Sequence, residues 1–194
     1  VSGKGIPAAM FMMNAKAVLK SYAESGLDVN KVFTLGNEKL CEGNDAGMFV
    51  TAWMGFLNTK TGEVTFANAG HNPPLVRHGD GSFEYLKVRA GFVLAGMEGV
   101  KYRKNELQLA PGDVIYLYTD GVTEATNIND ELYGEDRLLA LLNANKEASM
   151  EELCKLVKED VFAFAGEAPQ FDDITMLALK YCGATAPTNQ EEAL

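Results

Sequence analysis

The chain has 194 residues, of which 47% are hydrophobic and 23% charged, and carries a formal net charge of −10. That length builds one substantial core without disulfide or metal staples, and the composition is ordinary for a globular domain. The acidic balance argues against a nucleic-acid partner, which needs clustered Lys and Arg, and against docking on an anionic membrane surface.

Pro7 near the start of a run from Ala8 to Leu19 predicts a first helix that ends near Gly26. The run is apolar nearly all round, so the helix is expected to be buried. A second helix is predicted over Val29–Glu42, with Val29, Val32, Phe33 and Leu40 near one face and Gly36 as an interruption. Met48–Leu57 is apolar on both alternating faces, which predicts a strand buried on both sides. Asn58–Gly62 reads as a hairpin turn into a strand over Glu63–Asn68. Further strands are predicted at Pro74–Arg77, Phe83–Leu86, Tyr102–Leu109 and Val114–Tyr118, with turns at 79–81 and 110–113. Helices follow at Glu135–Leu142 and from Ser149 to about Phe164, the latter opened by a capping box of Ser149 and Glu152. A last strand is predicted over Ile174–Leu179, and residues 183–194 read as a flexible tail. Hairpin-linked strands that are apolar on both faces, set between helices, imply sheet against sheet with helices outside. With no internal repeat or linker, 1–182 reads as one domain.

The chemistry concentrates at two acidic strand ends. Tyr118-Thr119-Asp120-Gly121 closes one apolar run, and Phe171-Asp172-Asp173-Ile174-Thr175 opens another. Carboxylates buried at such places need a cation or a hydrogen-bond network. Each Asp alone reads as a turn former; together they make an oxygen-ligand site suited to magnesium or manganese rather than zinc. Gly3-Lys4-Gly5 lacks the spacing of a phosphate-binding loop and reads as a tight turn into a helix. His71, in Gly70-His71-Asn72-Pro73-Pro74, is weighed as structural rather than as a general base. Cys41, Cys154 and Cys182 show no disulfide or zinc spacing and point to the reducing cytoplasm. No apolar stretch approaches the roughly 20 residues needed to span a bilayer, so this segment is read without a membrane contact, though the parent protein could be tethered.

The strings VSGKGIPAAMFM (1–12), MFVTAWMGFLNTKTGEVTFANAGHNPPL (48–75), LAPGDVIYLYTDGVTEATN (109–127) and FDDITMLALK (171–180) occur in this order and cover most of the body. With them the chain resembles bacterial metal-dependent Ser/Thr protein phosphatases of the PPM superfamily, in the SpoIIE/RsbU-like branch. The resemblance implies an α+β fold, an αββα sandwich of two antiparallel sheets flanked by helices. It implies two or more Mn²⁺ or Mg²⁺ ions whose activated water attacks phosphorus directly, with no catalytic side chain beyond the metal ligands. Mapped by motif, Asp120 and Asp172 are metal ligands with Asp173 beside them, and Val1 contributes a backbone carbonyl. Ser2, Gly3, Gly121, Thr123 and Glu124 lie near the site.

The family places an Asp directly before the Val-Ser-Gly string and an earlier acidic motif further upstream; this chain begins at Val1. The resulting expectation is a partial phosphatase domain, lacking N-terminal strands and part of its ligand set, with impaired turnover. A sheet without its outer strands implies an exposed edge and a homodimer formed through it. The implied function is dephosphorylation of phosphoserine or phosphothreonine on a regulatory protein, an anti-anti-sigma-type regulator in sigma-factor signalling. Two alternatives stand beside it: a non-catalytic interaction module of the same fold, and a metal hydrolase of small phosphate esters.

Overall fold

A computed structural model describes residues 1–170 and 172–184. The chain divides into two compact units. The first comprises Val1–Leu57, Glu63–His71 and Val88–Gln108; the second comprises Asn58–Gly62, Asn72–Lys87 and the described residues from Leu109 onward. Each contains one antiparallel sheet and its own helices, which is the α+β class expected. Among the described residues no helix is long and apolar enough to cross a membrane. The tail expected at 183–194 lies, from residue 185 on, outside the described residues.

In the first unit, α1 (Gly5–Glu24) and α2 (Val29–Cys41) accompany a three-stranded sheet in the order β1-β2-β5, with β1 at Ala52–Leu57, β2 at Glu63–Ala69 and β5 at Asn105–Gln108. Val29, Val32, Phe33 and Leu40 of α2 are the buried positions foreseen from their spacing. They share a core with Ala15 and Leu19 of α1 and with Ala67 and Ala69 of β2. Gly36 is no flaw in α2: a Cβ built there would stand 2.7 Å from Leu19 Cδ2, so the missing side chain lets α1 come close. Asn37 is wholly buried and fully used. Its Oδ1 accepts from Ala95 N at 2.9 Å and its Nδ2 donates to Met97 O at 2.9 Å, tying a loop to α2.

Three expectations fail in this unit. The first helix is not buried all round, since Ile6, Met10 and Met13 are 78%, 67% and 66% exposed and only Ala8, Ala15 and Leu19 are buried. An all-round apolar sequence records low polarity, not two packed faces. The strand expected over 48–57 shrinks to Ala52–Leu57 and is half-buried rather than enclosed, because β1 is the outer strand of its sheet. Val50 instead makes an isolated bridge with Leu94. The strand expected over 102–109 begins only at Asn105. Tyr102 is a core tether whose single hydroxyl proton is shared between Asn37 Oδ1 at 3.2 Å and Val93 O at 3.1 Å, while its ring meets Phe33 edge to face at 5.6 Å.

In the second unit the sheet runs β4-β3-β6-β7, all antiparallel, with β3 at Leu75–Arg77, β4 at Phe83–Tyr85, β6 at Val114–Tyr118 and β7 at Met176–Lys180. Val114, Ile115, Tyr116 and Tyr118 of β6 are buried, as β-branched and aromatic residues on a central strand should be. After β6 comes α3 (Asp120–Thr123), a single helical turn that no expectation from sequence covered. Helices α4 (Glu135–Ala144) and α5 (Met150–Ala165) supply Leu138, Leu142, Leu153, Val157 and Val161 to a core shared with Leu75, Val114, Tyr116 and Tyr118. Ser149 caps α5 as expected, accepting from Glu152 N at 3.2 Å. Asn58–Gly62 forms the expected hairpin turn, with Asn58 Oδ1 accepting from Lys60 N at 3.0 Å.

Candidate metal site

The candidate site grows from the end of β6. Strand pairing runs in register from Val114↔Lys180 to Tyr118↔Met176, so the chain leaving β6 and the chain entering β7 emerge side by side. Thr119 joins them. Its amide donates to Thr175 O at 3.0 Å, its hydroxyl donates to Asp173 O at 2.9 Å, and the same Oγ1 accepts from Thr175 N at 3.0 Å. One side chain therefore fixes the approach to β7 to the exit from β6.

Gly121 completes the closure by having no side chain. A Cβ there would stand 2.5 Å from Asp173 O, 2.9 Å from Asp173 C and 3.4 Å from Asp172 C. Any larger residue would force the two segments apart. The 120 and 172–173 segments, distant in sequence, are thus in direct backbone contact.

The carboxylates are exposed, not buried as the strand-end reading supposed. Asp120 Oδ1 accepts from Gly121 N at 2.9 Å, and Asp172 Oδ1 accepts from Asp173 N at 2.7 Å. Each carboxylate is oriented by the amide that follows it. Gln170 Nε2 donates to Asp172 O at 2.9 Å and steadies the second segment. Glu124 N donates to Asp120 O at 2.7 Å, closing α3, and Thr123 is buried beneath it. Burial pushes the Tyr116 and Tyr118 hydroxyls up, so both stay protonated at neutral pH and serve as core supports.

Among the described residues there is no group of three or more His, Cys, Asp or Glu that could hold a metal ion. What meets is backbone: the segments that carry Asp120 and Asp172–Asp173 are locked together, and their side-chain donors are carboxylates. That chemistry fits Mg²⁺ or Mn²⁺, since magnesium is commonly held through one or two carboxylates and keeps several waters.

The remaining site residues, Val1, Ser2 and Gly3, belong to the first unit. Ser2 N donates to Phe49 O at 2.9 Å and Ser2 Oγ accepts from Phe49 N at 2.8 Å, pinning the segment to residues beside β1. Gly3 and Gly5 have φ of +79° and +78°, so Gly3-Lys4-Gly5 is the tight turn into α1 that was expected. His71 sits in a backbone loop clamped by Asn68, whose Oδ1 accepts from His71 N at 2.8 Å and whose Nδ2 donates to His71 O at 2.9 Å. Sequence reasoning missed Thr119 and Gln170. Both lie within or beside the two acidic strings, but their partners are fixed only by strand register.

Comparison with known proteins gives consistent findings. The family model described as Stage II sporulation protein E (SpoIIE) matches residues 1–181. Protein IcfG of Synechocystis is 30% identical over 92% of this chain and 32% of its own length. Phosphoserine phosphatase RsbU of Bacillus subtilis is 31% identical over 93% of this chain and 53% of its own length. The chain therefore spans about half, or less, of these curated relatives. The solved RsbU and RsbW domains of a Mycobacterium tuberculosis protein superpose with a TM-score of 0.82 at 25% identity, covering 96% of this chain and 51% of that one. More distant solved structures that share the fold include RsbX in complex with magnesium (TM-score 0.62, 18% identity) and the catalytic domain of PstP with two manganese ions (TM-score 0.61, 13% identity). The chain belongs to the SpoIIE family of PP2C-type phosphatases.

Proposed function

We propose that this chain carries the phosphatase portion of a protein that removes phosphate from phosphoserine or phosphothreonine on a regulatory protein, with an anti-anti-sigma-type regulator as the substrate class. The observation that carries the reading is the closure of Thr119 and Gly121 onto Asp173, which brings Asp120, Asp172 and Asp173 onto neighbouring segments. The named activity of the Bacillus relative, a phosphoserine phosphatase, supports the substrate chemistry.

Asp120 and Asp172 would hold Mn²⁺ or Mg²⁺, with Asp173 beside them. Such ions lower the pKa of water and neutralise charge on a transferring phosphoryl group. The chain's own part is placement. The amides of Gly121 and Asp173 orient the carboxylates, and Thr119 keeps the two strand ends at fixed separation. Rigid placement matters because catalysis falls steeply when reacting groups are displaced by about 1 Å. Val1 belongs to the other unit, and the proposal rests on the aspartates alone.

The test is manganese-dependent hydrolysis of a phosphoserine peptide, with manganese affinity followed by titration calorimetry. Asp120→Asn and Asp172→Asn should each weaken manganese binding and lower turnover at least about 100-fold, within the range a lost metal function produces. Unchanged affinity and turnover in both variants would overturn the assignment.

A further inference from the structure

A groove opens beside the aspartates in the second unit. One wall is α3 and the residues after it, the other is the C-terminal end of α5 and the connection toward β7. Its lining is built mainly of small and apolar residues, among them Ala125, Val161, Ala165 and Ile174. Phe162, 46% exposed, stands at its side, with Lys158 Nζ 5.7 Å from its ring centroid. Two lining residues, Gly121 and Asp172, also belong to the candidate metal site, so the groove is continuous with it. Glu124 and Asp172 make its polar margin acidic.

We propose that this groove seats an apolar side chain of the phosphoprotein substrate, next to the phosphorylated residue in sequence, and thereby sets substrate specificity. The inference rests on the phosphatase reading above. A bare phosphate ester offers an enzyme little to recognise, whereas an apolar neighbour entering a preformed apolar groove gains affinity from the area removed from water. Small side chains at Ala125 and Ala165 leave the room, Phe162 gives the wall, and Glu124, which holds no metal in this reading, disfavours an acidic side chain by like-charge repulsion.

The experiment uses the whole chain with Mn²⁺ and fluorescein-labelled phosphoserine peptides in which each position flanking the phosphoserine carries Leu, Ala or Asp in turn. Binding is read by fluorescence anisotropy. At one flanking position Leu should bind about 10-fold tighter than Ala, and Asp weaker than Ala, in line with burial of one leucine side chain. Ala165→Phe, which fills the groove, and Phe162→Ala, which removes its wall, should each collapse the Leu-over-Ala ratio toward one. The second variant alters an exposed residue, so it tests the idea even if the first does not fold. Manganese-dependent hydrolysis of p-nitrophenyl phosphate by the unaltered chain is measured alongside. Hydrolysis without any Leu preference, or a preference that survives both variants, overturns the groove and leaves the phosphatase reading standing. Absence of both hydrolysis and peptide binding overturns the two together.

Discussion

At the scale of single residues, the site depends on what is missing as much as on what is present. Gly121 lies against the Asp173 carbonyl, and an added Cβ at 2.5 Å meets backbone that cannot swing away. Gly121→Ala should therefore cost about 1–3 kcal/mol, the usual penalty of overpacking. It should also weaken manganese binding, because relief of the clash separates the 120 and 172–173 segments. A denaturant midpoint and a calorimetric titration on the same sample check both; an unmoved midpoint would mean the segments are not locked as described. Two other carboxylates report on acid stability. Burial pushes Asp113 up, but amide hydrogen bonds from Gly79 and Ala110 and the His78 ring outweigh it, so its carboxyl titrates below the ordinary range. Asp160 is held low chiefly by hydrogen bonds from the Arg137 guanidinium, at 2.9 Å from each nitrogen. A lowered folded pKa means stability that is complete above the unfolded value of about 3.9 and lost as pH falls through the folded one. Asp113→Asn should flatten the acid limb of the stability curve below about pH 4. An equally steep limb in the variant would assign acid unfolding to other groups.

Among the elements, those with a single dominant local signal were readable from sequence. Val114–Tyr118 came out with the bounds expected, because a β-branched and aromatic run on a central strand has its propensity and its burial in agreement. The start of α5 was readable because Ser149 and Glu152 satisfy the helix end locally. Ser149→Ala should cost about 1 kcal/mol, the typical loss of an N-cap. A change in thermal midpoint no larger than that of an exposed mid-helix control would show that the amide finds another partner. The misreadings share one cause. Side chains at Met10, Met13 and along 48–57 are apolar, yet whether a face is covered depends on neighbours far away in sequence. The candidate site was legible as two acidic strings, and the contact between them was not. Strand register between β6 and β7 decides that Thr119 meets Asp173, and nothing in either string encodes it.

For the molecule as a whole, the sheet edges bear on whether copies of the chain associate. The second sheet ends in β4 and β7, which carry Glu84 and Lys180, charges of the kind that blunt an edge. The first sheet ends in β5, which carries Glu106, and in β1, Ala52–Leu57, which has neither a charge nor a proline and is only half-buried. Its six residues pair with β2 on one side, so the other row of amides and carbonyls is a template for another strand. The net charge of −10 opposes association between copies. That repulsion reaches about 30 Å at 0.01 M salt but only about 8 Å at 0.15 M, whereas edge hydrogen bonds and apolar contact act at contact distance. Association should therefore rise with salt. Static light scattering at high micromolar protein should show a mass near the 21.0 kDa monomer at the lowest ionic strength and a growing dimer fraction as NaCl is raised. A mass that stays at the monomer value across the series would mean that the β1 edge is covered. A mass that falls with salt would make the attraction electrostatic and remove the edge from consideration.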